Sequence, residues 1–399
     1  MAGREKSRGR WYSPGRVWSY LLYTLGGAVL ALTVGIYGEF LGSMLERLSS
    51  DSMDVHSDFD TFWRSADAYR YGRDLYDTGA RLDNLNPPLW TVIISPLAFL
   101  DTLVAYRVFV QVTVAIVVGY LVWMVRYLEI PGGWASLSTA AALLSAPILG
   151  TLALGQIYAF LALGLVAAWI LERRRMSVAS GLVLGFTIAI KPSLLPLVLW
   201  PLVRGRWRHF LATLAGGAGA TLFAAVVAGF GTTLAWLRLL TDSPLNTYWD
   251  NASLPAATAR LFTENQFATN LAELPWTVNV AYGLGLAAIA LTAWLARRDE
   301  SGVGFWALVA ASLLAAPIAW HNYLMLLVPG VLVLISCRRY ALAFFLLALQ
   351  VLPPQWPLLW QDGTRLDAIM LTMYCPILLV HWLALLPLRG RKNPGAAED

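Results

Sequence analysis

Five residues from five distant stretches carry most of the chemistry this chain can offer: Asp58, Gln156, Lys191, Arg260 and His321. An acid, an amide, two cations and an imidazole suit the transfer of a group away from a phosphate. Lys191 and Arg260 would neutralise the phosphate. Asp58 would take the proton from an attacking hydroxyl. Phosphate is already a good leaving group, so no general acid is demanded and one base suffices for a single in-line displacement with inversion. A retaining route would need a second carboxylate close by, for which Asp60, two residues on, is the local candidate. The inner side carries no glycine-rich phosphate loop, which argues against a nucleotide-dependent reaction.

Each residue also has a plainer reading. Ser57 or Asp58 could cap a helix, with Asp60 complementing its dipole. Lys191 could snorkel to lipid phosphate. It is one of only three lysines and is flanked by apolar residues, and an ionisable residue in that setting points to function. His321 could be a structural hydrogen-bonder, and its neighbours Trp320 and Tyr323 an aromatic belt. Asn84-Leu-Asn-Pro-Pro88 reads as a turn. Asn251-Ala-Ser253 also fits a glycosylation acceptor, a weak three-residue match.

The elements that must position these residues follow from composition. Of 399 residues, 58% are hydrophobic and 13% charged, with a mean hydropathy of +0.60. A soluble domain carries about twice that charge, so a soluble enzyme, a disulfide scaffold and a disordered chain are excluded. The two cysteines lie in or beside apolar segments and imply neither a disulfide framework nor a metal cluster. Apolar runs of spanning character recur at roughly 18–37, 104–125, 134–150, 157–172, 177–190, 192–204, 208–230, 275–297, 303–319, 322–337, 340–356 and 367–388. The expected fold is therefore an all-α polytopic membrane protein of about twelve transmembrane helices, forming one membrane domain over 1–399. Residues 1–17 and 389–399 are expected as cytoplasmic tails. Segment 88–100 is apolar but short, contains Pro96, and reads as re-entrant or interfacial.

Charge supports that parity. If 88–100 does not span, every arginine cluster between spans shares the inner side with the N-terminal tail, as the positive-inside rule requires. The inner side then holds 19 Lys and Arg against 7 Asp and Glu, and the outer side 10 against 17, which recovers the 29 and 24 of the whole chain. The net +5 is membrane orientation, +12 inside and −7 outside, and not a nucleic-acid surface. The two long polar stretches, roughly 40–87 (within an outer loop of 40–103) and 231–274, both fall outside. Within the first, Phe59, Phe62, Ala66 and Tyr69 mark an amphipathic interfacial helix with Asp58 at its start. All five chemical residues then share the outer face, as in a cavity that opens outward.

The run Asp58-Phe-x-x-Phe62, Asn86-Pro87-Pro88-Leu89, Gly155-Gln156, Lys191-Pro192, Asn251-x-Ser253-Leu254 with Arg260, and Pro317 with Trp320-His321 resembles glycosyltransferase family 87. These are GT-C-type mannosyltransferases that depend on polyprenyl-phosphate mannose. The resemblance implies a GT-C-type helical bundle and a metal-independent inverting transfer without cofactor. It implies Asp58 as base and His321 as a second active-site residue. It also implies that Gln156, Lys191 and Arg260 help hold the donor head group; Asp60, Asn86, Asn251 and Trp320 are expected as further substrate contacts. The expected partners are membrane lipids, a polyprenyl-phosphate sugar donor and a glycolipid or lipoglycan acceptor, with no nucleic acid. Arginine outnumbers lysine 26 to 3, which fits a high-GC genome and a bacterial plasma membrane. A transporter or flippase of lipid-linked saccharides would want inverted repeats and an inward polar pathway, neither of which is visible. An arabinosyltransferase using polyprenyl-phosphate arabinose, and a non-catalytic membrane scaffold, would fit the same composition.

Overall fold

The computed structural model describes residues 14–354 and 362–387. The basic tail residues before Arg16 and the cluster 389–392 lie outside the described residues. The described chain is helical, with a single isolated bridge, Asn251 to Trp320, outside the helices.

Helix α1 runs Pro14–Ser49, a dozen residues past the expected end of the first span. Its last turns continue because Phe40 and Met44 bury against Ala146, Leu149 and Ala153. Helix α2, Ser57–Arg70, is the amphipathic element expected over this stretch: Phe59, Phe62 and Ala66 are buried while Arg64 and Arg70 are exposed. It lies against α3, Pro88–Ile94, and the 3-10 turn Ser95–Phe99 that follows. Trp63 Nε1 donates to the Leu97 carbonyl at 3.3 Å, and Arg70 donates to the Ala98 carbonyl at 3.1 Å. Twelve helical residues reach about 18 Å, short of the ~30 Å hydrocarbon core.

Helix α4 spans Thr102–Tyr127, and α5, Gly132–Leu143, meets α6, Ala146–Leu154, at a 43° bend. Next come α7, Tyr158–Arg173, and α8, Ser177–Ile190. A 3-10 segment, Pro192–Val198, leads into α9, Leu199–Val203. Helix α10, Trp207–Ala228, packs on α8 backbone to backbone: a Cβ on Gly181 would sit 2.5 Å from the His209 carbonyl oxygen. Small residues four apart on one face permit such an approach between apolar helices. The chain continues through α11, Phe230–Asp242, α12, Leu254–Phe262, and α13, Trp276–Ala296.

Helix α14, Val303–Ala315, the 3-10 segment His321–Leu327 and α15, Val328–Ser336, form the centre, with nearly every residue buried. A helix apolar on all sides belongs inside. Helices α16, Tyr340–Val351, α17, Arg365–Met370, and α18, Tyr374–Leu385, complete the bundle.

Among the described residues, five helical stretches are long and apolar enough to cross a membrane, or six if the bent α5–α6 pair is one span. The other apolar helices are shorter. Of these, Val303–Ala315 and His321–Ser336 are almost wholly buried, where neighbouring protein can satisfy backbone groups left free at their ends, while Ser177–Ile190 and Pro192–Val203 keep exposed apolar faces.

Candidate active site

Asp58 stands in the first turn of α2. His56 occupies the N-cap position and makes no side-chain cap there, so neither Ser57 nor Asp58 caps the helix. Phe59 sets Asp58 in place: it is fully buried and packs on Tyr106 and Phe109. Gly155 makes room for it. It ends α6 in the left-handed conformation at φ 73°, and a Cβ there would fall 2.5 Å from that of Phe59. The same turn delivers Gln156, whose side chain hydrogen-bonds the Asp58 carboxyl. Burial pushes that carboxyl up to about 6; the Gln156 bond lowers it, the charge of Asp250 raises it and Lys191 lowers it.

Lys191 is turned toward this carboxyl by Pro192. A residue before proline is driven out of the helical region, and Lys191 takes φ −140°, ψ 90° at the end of α8. Its Nζ donates to Asn86 Oδ1 at 3.0 Å and lies 5.8 Å from the Tyr323 ring centroid. Asn86 is itself held by Asn84, whose Oδ1 accepts from its backbone N–H at 3.1 Å and its amide at 3.3 Å. The Asn-Pro-Pro turn is thus a buried polar bracket for Lys191. Among the described residues Lys191 has no carboxylate within ion-pair distance, and its charge acts on Asp58 from farther off.

His321 opens the 3-10 segment beneath Trp320, and its Nδ1 lies on the carboxylate of Asp250. Its backbone N–H also donates to the Asp250 carbonyl at 3.0 Å. The carboxylate is the acceptor, so Nδ1 carries a proton and Nε2 is the ring nitrogen left over. Nε2 is buried without a protein partner, as is the hydroxyl of Tyr374, whose ring lies 5.4 Å from the imidazole. Tyr158 and Tyr323, with ring centroids 4.2 Å apart, stand beside Lys191 and Asp58.

Three of the expected residues are engaged within the protein. Asp60 is bound to Arg64 at 2.7 Å; two residues along a helix is about 200° of rotation, which turns it away from Asp58. The Asn251 amide donates to the carbonyls of Asn246 and Pro317, both at 2.9 Å. Its Oδ1 accepts from the N–H groups of Ser253 and Ala319, so it clamps two loops. Arg260 is buried and donates to the carbonyls of Thr247, Tyr248 and Asn251. Burial lowers its guanidinium to about 10, which leaves it charged at neutral pH. Asn251 and Arg260 therefore frame the loop that presents Asp250. Trp320, half-buried, bridges to Asn251 and sets its edge on Tyr248.

Sequence reasoning missed Asp250, Tyr158 and Tyr374. Asp250 sits beside Asn251 in a polar and aromatic loop, and that adjacency was the available signal.

A family model described as glycosyltransferase family 87 matches residues 84–317. The matched stretch contains Asn86, Gln156, Lys191, Asp250 and Arg260; Asp58 lies before it, and Trp320 and His321 after it. The chain is also 26% identical over 325 residues, 73% of each protein, to the polyprenol-phosphate-mannose-dependent alpha-(1-2)-phosphatidylinositol mannoside mannosyltransferase of Mycobacterium tuberculosis.

Proposed function

Because the chain belongs to glycosyltransferase family 87, we propose that this membrane protein moves a sugar, mannose, from a polyprenyl-phosphate donor to a hydroxyl of a glycolipid or lipoglycan. The M. tuberculosis relative is named for such a donor and a phosphatidylinositol mannoside acceptor. The observation that carries the reading is a carboxyl held near 6, with an unpaired lysine bracketed toward it by Asn86.

The acceptor oxygen attacks the anomeric carbon while its proton passes to Asp58. The bond from that carbon to the phosphate oxygen breaks, and polyprenyl phosphate departs with the electron pair. Lys191 neutralises the phosphate as it leaves. Gln156 orients the Asp58 carboxyl. His321 Nε2 accepts from a substrate hydroxyl and fixes the sugar beside the base. One displacement inverts the anomeric centre; Asp60, turned away toward Arg64, is poorly placed for a second. No metal or cofactor enters this scheme.

In this reading the shorter helices complete twelve crossings and the site opens on the outer face of a bacterial plasma membrane, with both termini inside. The arginine distribution supports that orientation.

The test is incubation of the purified protein with polyprenyl-phosphate mannose and a panel of acceptor glycolipids, read by product mass. A hexose added to one acceptor is expected. Absence of transfer from this donor, with transfer from polyprenyl-phosphate arabinose instead, would replace the sugar assignment.

A further inference from the structure

At the opposite ends of α7, α8 and α14 from the Asp58 site lies a second cleft, of about 690 Å³. Helix α7 runs from Tyr158 at one to Arg173 at the other, about 24 Å at 1.5 Å per residue. The cleft is lined by five arginines against three carboxylates, with Trp169, Trp200 and Trp207 among them.

One of the carboxylates is already committed. Glu172 is buried, accepts from Trp200 Nε1 at 2.5 Å and is ion-paired with Arg206. Other polar groups have no protein partner. Arg175 and Arg208 are exposed and, among the described residues, their side chains make neither an ion pair nor a hydrogen bond. His209 is 1% exposed, and its Nδ1 has no hydrogen-bond partner. That nitrogen is 4.0 Å from the Glu172 carboxylate, beyond hydrogen-bond reach.

The tautomer follows from Ser180. Its hydroxyl donates to the Ala168 carbonyl at 2.7 Å, which uses its one proton. The His209 Nε2, 3.2 Å away, must then donate to the Ser180 oxygen. Nδ1 is left as a buried acceptor beside a second acceptor, Glu172. Such a place calls for a hydroxyl donor, next to arginines that call for an anion.

Arginines that only anchored the helices in the membrane would need neither the buried Glu172 nor an unsatisfied histidine facing the cleft. We propose that the cleft binds the head group of an anionic phospholipid that carries a hydroxyl, as phosphatidylglycerol does. The phosphate lies on Arg175 and Arg208, and the hydroxyl donates to His209 Nδ1. This site is separate from the transfer site and stands whether or not the proposed reaction is correct.

The experiment is native mass spectrometry of the full-length protein in detergent with equimolar phosphatidylglycerol and phosphatidylcholine. The wild type is expected to retain phosphatidylglycerol in preference. Arg175→Gln/Arg208→Gln, which touches only exposed side chains, should weaken that retention roughly ten- to thirtyfold with an unchanged melting transition in phosphatidylcholine micelles. Asp58→Asn should retain the lipid like the wild type. Equal retention of both lipids, or undiminished retention by the double variant, overturns the proposal. Displacement of the lipid by an equal concentration of free glycerol phosphate would overturn the lipid as ligand and assign the cleft to a soluble phosphate.

Discussion

Asp250 and His321, 71 residues apart, meet as a hydrogen-bonded carboxylate–imidazole pair at the start of a buried 3-10 turn. The carboxylate holds Nδ1 and so orients the ring, leaving Nε2 without a protein partner. Arg260 and Asn251 hold the loop that makes this possible. Asp250→Asn should reduce turnover about 10- to 100-fold, the usual range for losing the partner that orients a functional histidine. His321→Ala should cost at least as much. The double variant should be no worse than His321→Ala alone, since the two act as a unit. Additive losses in a double-mutant cycle of kcat/KM would show that Asp250 acts separately.

Asp58 makes two opposed predictions. As a base it works ionised, so kcat/KM should fall as pH drops below about 6 and level off above it. Asp58→Asn should lose about 10²- to 10⁴-fold and the pH dependence with it. For stability the sign is reversed. The folded-state value is raised from 3.8 to about 6, so the folded protein holds this proton more tightly than the unfolded chain. The ionised carboxyl therefore destabilises the fold above pH 6, by up to about 3 kcal/mol, and that cost fades as pH falls toward 4. The inactive Asp58→Asn protein should melt higher than the wild type at pH 7.5 and show no such advantage at pH 4. A lower melting temperature at pH 7.5 would contradict the burial argument.

The parts of this arrangement legible in the sequence were local ones. The Phe59, Phe62, Ala66 stripe announced α2, and the gap between the expected spans 177–190 and 192–204 announced the end of α8 at Lys191. What was not legible depended on distant packing. Asp250 matters because Ala319 and His321 come back to its loop, and no local pattern reports that return. The bonds of Arg260 and Asn251 escape local pattern, because a cation or amide in a loop gives no sign that backbone carbonyls will claim it. The end of α1 escapes local pattern for the same reason: Ala146, Leu149 and Ala153 supply the surface that prolongs it. Segments Val303–Ala315 and His321–Ser336 are shorter than a bilayer because protein, not lipid, surrounds them.

Lys191 should act on the donor. Replacing it with Gln removes the charge but keeps a donor for Asn86 Oδ1. The KM for the polyprenyl-phosphate donor should rise, with kcat/KM reduced about 10- to 100-fold, the worth of a charge-assisted hydrogen bond. The KM for the acceptor should stay near the wild-type value. Lys191→Arg should rescue poorly, because a planar fork cannot replace a point charge held between Asn86 and the Tyr323 ring. Equal rises in both KM values would place Lys191 outside the donor site.

The last prediction concerns orientation, on which the outer-face reading depends. Segment Pro88–Phe99 is twelve residues long and seated on α2. If it does not cross, Ser136 in α5 faces the same side as the N-terminal tail. A single cysteine placed at Ser136, with Cys337 and Cys375 replaced by serine, should resist a membrane-impermeant maleimide in intact cells and react after permeabilisation. A cysteine at Thr78, in the loop after α2, should react in intact cells. Both outcomes together put Asp58 on the outer face, where a lipid-linked donor and a glycolipid acceptor can meet. Labelling of Ser136→Cys from outside would mean that the short segment crosses, that the arginine clusters divide between the two sides, and that the charge argument for the site's orientation fails.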